Sequence, residues 1–99
     1  MMIRHVAMFK WNDEVTEAHV RAASTALDGL PEVIDALLDY RHGPDLGLVD
    51  GNFDYVVVAD VADEAGFFAY RDHPAHQAFI TGFIAGHVAQ RCAVQYRLD

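Results

Sequence analysis

The chain has one cysteine, Cys92, and one serine, Ser24. A lone cysteine cannot close an intramolecular disulfide, and the opening MMIRHVAMFK lacks the apolar run and small-residue cleavage site of a signal peptide. A cytoplasmic location is therefore expected. Ser24 stands outside any G-x-S-x-G elbow, which argues against nucleophilic serine hydrolysis. No glycine-rich phosphate loop is present, so a nucleotide cofactor has no visible cradle, and the H-E-x-x-H spacing of a zinc hydrolase is absent. Basic residues are scarce: 7 against 15 acidic ones, for a formal net charge of -8. That charge repels phosphate backbones and anionic lipid, so nucleic acid and membrane are not expected partners. No apolar run approaches the roughly 20 residues that span a bilayer.

What is present is apolar. Hydrophobic residues make up 53% of the 99 residues. A chain of this length builds one core, so residues 1–99 are read as a single domain. The apolar excess implies that a second copy hides part of its surface, and a homodimer is expected. Ile3 to Trp11 alternates with apolar members on both faces, as in a strand covered on both sides. A helix follows, with Thr16 as N-cap and Val20, Ala23 and Leu27 at helical spacing, stopped by Gly29 and Pro31. Ala36 to His42 reads as a second strand leading through Pro and Gly punctuation to an Asp50-Gly51-Asn52 turn. FDYVVVADV, with Val56, Val57 and Val58 in a row, reads as a central strand. Asp60 or Asp63 caps a short helix that ends at His73, because the residue before Pro74 is pushed out of the α region. Residues 75–90 read as the next helix, in which Gly82 and Gly86 allow close approach to the sheet, and 91–98 as the last strand. The order β-α-β-β-α-β predicts an α+β, ferredoxin-like subunit: a four-stranded antiparallel sheet with helices on one face.

The stretch YRDHPAHQAF concentrates the polar chemistry. On a helical wheel begun at His76, Phe79, Ile80, Phe83 and His87 fall within about 60° of it, so His76 is expected to point inward. Desolvation there keeps an imidazole neutral and able to act as a base. His5 shares a strand face with Phe9 and Trp11, and Tyr70 closes the preceding helix, so these side chains could meet in one pocket. His73 is read as a helix cap. A metal site built on His73 and His76 is the sharper alternative, but Pro74 between them argues against it, and neither metal nor other cofactor is expected. Cys92 reads as a small apolar strand residue.

The segments MIRHVAMFKW, DEVTEA, FDYVVVADV and above all AYRDHPAHQAF resemble the stress-responsive dimeric α/β-barrel (Dabb) family over nearly the whole chain. The resemblance implies a ferredoxin-like subunit whose sheet pairs with another to form a dimeric α/β barrel. Within the family the chain is similar to olivetolic acid cyclase-type polyketide cyclases, cofactor-free lyases that close a ring from a linear poly-β-ketone by aldol condensation. That likeness implies His76 as acid/base residue, Tyr70 as its tyrosine and His5 as a further pocket histidine. It departs at Tyr55, which stands in place of another pocket histidine, and at Ala23, Ser24 and Leu27, which replace tunnel aromatics. Tyr55, Val57, Leu27, Phe79, Phe83 and His87 complete the expected lining for a small apolar ligand bearing a carbonyl or phenol. The competing expectation is a non-catalytic binding or structural dimer whose histidines finish the core.

Overall fold

The computed structural model describes residues 1–98. Strand β1 (Ile3–Trp11) is followed by helix α1 (Glu17–Asp28), a single helical turn α2 (Leu30–Val33), β2 (Asp39–Pro44) and β3 (Tyr55–Val61). Helices α3 (Glu64–Asp72) and α4 (Pro74–Phe79), a π-helical turn (Ile80–Ile84) and β4 (Val88–Arg97) complete the chain. The sheet order is β2-β3-β1-β4, with each neighbouring pair antiparallel. This is the ferredoxin-like split βαβ arrangement.

The caps explain where the helices start. The Thr16 hydroxyl accepts the His19 N–H at 3.2 Å, and the Asp63 carboxylate accepts the Gly66 N–H at 2.8 Å. Asp60, the other candidate cap, instead accepts hydrogen bonds from Arg4 Nε and Nη2 at 2.8 and 2.9 Å across the β1–β3 pair. His73 is extended (φ -61°, ψ 136°), and its Nδ1 accepts the Ala75 N–H at 3.0 Å. Its tautomer is thereby fixed with the proton on Nε2.

Three boundaries differ from the sequence expectation. Pro31 opens α2 instead of only ending α1, because the first turn of a helix has no use for the missing N–H. The chain reaches the sheet edge later, so β2 begins at Asp39 and not at Ala36. The α-helical course ends at Phe79: the Ala85 N–H bonds the Ile80 carbonyl at 2.8 Å, five residues back. Gly86 then takes φ +79°, a left-handed conformation that turns the chain into β4. Gly82 has open space where a Cβ would stand, so close packing on the sheet is not its role.

The core lies between the helices and one face of the sheet, where Ala7, Phe9, Val57 and Ala59 meet Ala23, Leu27 and Ile34. The opposite face is also apolar. Val6 stands between Val58 and Val94, and Met8 between Val56 and Cys92. None of these six belongs to the core, and Val94 is 56% exposed.

Candidate functional site

Between the helices and the inner face of β1 and β4 lies a cleft of about 150 Å3. His5 reaches it from β1, Tyr40 from β2, Tyr70 from α3 and His76 from α4, while Arg91 and Gln95 stand on β4. The strand pleat accounts for the sheet side: His5 lies opposite Gln95, Ala7 opposite Ala93 and Phe9 opposite Arg91, all on one face. The break at His73-Pro74 accounts for the helix side, since it lets α4 restart at a new angle with its first turn against Tyr70. The Tyr70 and His76 rings lie 4.4 Å apart between centroids, and Tyr70 and His5 6.1 Å apart. The three residues that the sequence marked for chemistry thus share one cleft.

The hydrogen bonds define what each can do. His76 Nδ1 lies 2.9 Å from the Arg71 carbonyl oxygen, an atom that only accepts, so Nδ1 carries the proton and Nε2 the lone pair. The Gln95 amide N–H donates to His5 Nδ1 at 2.8 Å, which leaves the His5 proton on Nε2. The two imidazoles therefore present opposite functions, an acceptor on His76 and a donor on His5. Burial, the Arg91 charge and His76 pull the His5 pKa down to about 4. Burial also lowers that of His76, against the opposing effect of the Arg71 carbonyl. Both rings are neutral at pH 7.

Tyr70 is 2% exposed, and its hydroxyl lies 3.2 Å from that of Tyr40. Burial raises the pKa of both phenols, so both keep their protons. One hydroxyl donates to the other, and the second proton remains available to an oxygen placed in the cleft.

Leu27, Val57 and Phe79 line the cleft as expected, but Tyr55, Phe83 and His87 do not. Tyr55 is turned aside by its own partner: its hydroxyl donates to His42 Nδ1 at 2.7 Å, while His42 Nε2–H donates to Asp28 at 2.7 Å. Ile80 also lines the cleft, but the π turn that starts there spreads each turn over more residues than an α turn, so a wheel drawn from His76 fails beyond Ile80. Phe83 packs on the His19 ring, and His87 stacks on that ring at 4.2 Å. Tyr40, Arg91 and Gln95 were missed by the sequence reading. Strand alternation pairs Arg91 with Gln95, but polar residues of one parity ordinarily mark a solvent face. Among the described residues no group of three or more His, Cys, Asp or Glu side chains is placed to hold a metal ion. Among them, too, no helix is long and apolar enough to cross a membrane.

Solved structures share this architecture. A dimeric ferredoxin-like protein of unknown function from Thermobifida fusca is 51% identical, with a TM-score of 0.92 over 99% of this chain and 92% of that one. A Dabb family protein with a ferredoxin-like fold from Mesorhizobium loti is 19% identical, with a TM-score of 0.80 over 98% of this chain and 96% of that one. A hydroxynitrile lyase from Passiflora edulis is 14% identical, with a TM-score of 0.85 over 99% of this chain and 94% of that one. At such identities the last two show the fold alone. No curated protein matches the chain. The family model of the stress responsive A/B barrel domain, Dabb, matches residues 3–98, and the chain belongs to that family.

Proposed function

We propose that the chain works as a cytoplasmic homodimer whose cleft binds a small, largely apolar molecule with a carbonyl or phenol group and moves a proton on it without a cofactor. The observation that carries this reading is the bond from His76 Nδ1–H to the Arg71 carbonyl. It directs the basic Nε2 of a neutral, half-buried imidazole away from the backbone, beside a phenol that retains its proton. In the reaction, His76 Nε2 removes a proton α to a carbonyl, and the electron pair of the broken C–H bond moves onto the carbonyl oxygen. That enolate oxygen accepts a hydrogen bond from Tyr70. The enolate carbon then attacks a second carbonyl of the same molecule, and the new alkoxide takes the proton back from His76. This is an aldol ring closure of polyketide-cyclase type. The apolar outer sheet face supports the dimer, as does the similar Thermobifida protein, which is described as dimeric.

A non-catalytic dimer is the competing reading. It is favoured by the engagement of His19, His42, His73 and His87 in bonds to their own chain. The test is a thermal-shift screen of phenolic and polyketide-like compounds, followed by His76→Ala and Tyr70→Phe. A ligand that binds only the folded state raises the melting temperature. We expect His76→Ala to stay folded and to cut turnover by about a hundredfold or more, with Tyr70→Phe slower as well. If both variants bind the best ligand as the wild type does, the cleft assignment is wrong.

A further inference from the structure

The cleft holds two arginines whose charge proton transfer from an uncharged ligand does not use, Arg71 and Arg91. Arg91 stands on the inner face of β4, opposite Phe9, on an edge strand, and is exposed. In a chain this acidic, four of the six arginines pair with carboxylates among the described residues: Arg4 with Asp60, Arg21 with Glu17, Arg41 with Asp39 and Arg71 with Asp72, while Arg97, away from the cleft, donates to Met1 Sδ. Arg71, the other arginine at the cleft, is further held over the Phe68 ring at 4.8 Å. Arg91 has no ion-pair partner among the described residues, although acidic residues outnumber basic ones two to one.

We propose that Arg91 is the specificity-determining residue of the cleft and that the ligand carries a carboxylate, held by the Arg91 guanidinium at the open edge while the apolar body lies against Leu27, Val57 and Phe79. The inference rests on the ligand-binding reading above and narrows its substrate class. A guanidinium presents two parallel N–H donors that match the two oxygens of a carboxylate, which fixes the ligand's orientation as well as its charge. With the carboxylate at β4, the ligand's other end is directed toward Tyr70 and His76. The charge of Arg91 is already felt there: it lowers the proton affinity of His5, His76 and Tyr70.

The test uses two isosteric probes, 4-hydroxyphenylacetate and 4-hydroxyphenylacetamide, titrated by calorimetry into wild type, Arg91→Gln, Arg91→Lys and His76→Ala at fixed ionic strength. We expect the wild type to bind the carboxylate about tenfold more tightly than the amide, corresponding to about 1.4 kcal/mol. Arg91→Gln should abolish that preference while keeping the amide affinity, and Arg91→Lys should keep part of it. His76→Ala should weaken both probes alike. Equal binding of both probes by the wild type, or a carboxylate preference that survives Arg91→Gln, overturns the role of Arg91 and leaves the cleft reading standing. If the wild type binds neither probe, this inference and the cleft reading fall together.

Discussion

Replacing His5 by Asn should make the protein less sensitive to acid. His5 is 6% exposed, and its folded pKa is about 4 against an ordinary 6.5. The unfolded chain therefore binds a proton through a pH range in which the folded chain does not. A depressed folded pKa contributes stability that is fully present above pH 6.5 and lost as pH falls toward 4. At roughly 1.36 kcal/mol for each tenfold change in proton affinity, the full effect is about 3 kcal/mol, and about 2 kcal/mol of it is lost between pH 7 and pH 5. The Asn oxygen can still accept the Gln95 amide N–H that His5 Nδ1 accepts at 2.8 Å, so the variant removes the titration while retaining the bond. Urea unfolding at pH 7 and pH 5, at one protein concentration because association adds to stability, gives the comparison. The wild type should lose about 2 kcal/mol more than His5→Asn over that interval, equivalent to about 10 °C in melting temperature for a chain of this size. Equal losses in the two proteins would refute the argument, because they would mean that solvent entering at the β4 edge already hydrates His5.

Two further outcomes are expected. Val6→Asp places a charge at the centre of the apolar outer face, between Val58 on β3 and Val94 on β4, and twice over in a two-fold dimer. Sedimentation should then show a folded species of 11.0 kDa, and a wild type that already sediments at that mass would remove the barrel reading. Asp63→Ala deletes the side-chain acceptor for the Gly66 N–H and should cost about 1 kcal/mol, measured by thermal unfolding. Asn at the same position should restore most of it.

The fold was legible wherever one local rule dominated. The double-sided apolar pattern of β1 and β3 places both at the sheet centre, and the observed order β2-β3-β1-β4 agrees. Thr16 and His73 cap as their positions imply. Errors arose where one residue type serves two purposes. Pro31 reads by pattern only as a stop, although a proline that ends one helix is also suited to begin another. Gly86 fits a helix interior by spacing, yet its φ of +79° makes it the corner before β4.

The site was legible in its residues more than in its geometry. His76, Tyr70 and His5 stood out by chemical type, but the choice of basic nitrogen on His76 depends on a backbone carbonyl five residues earlier, which no side-chain pattern encodes. Tyr55 illustrates the reverse: its position on the inward face of β3 is predictable by alternation, but its bond to His42 directs it away from the cleft. Arg91 is the least legible of the cleft residues. An arginine on an edge strand reads as a solvated surface charge, and it becomes part of a cleft only because α4 ends at Phe79 and leaves the inner face of β4 uncovered. Had the helix continued to Gln90, as its apolar spacing implies, position 91 could not have belonged to the open wall. The π turn and Gly86 therefore do more than reverse the chain: by ending the helix early they leave Arg91 and Gln95 at an exposed edge of the cleft, where the carboxylate proposed above would keep contact with water instead of being buried.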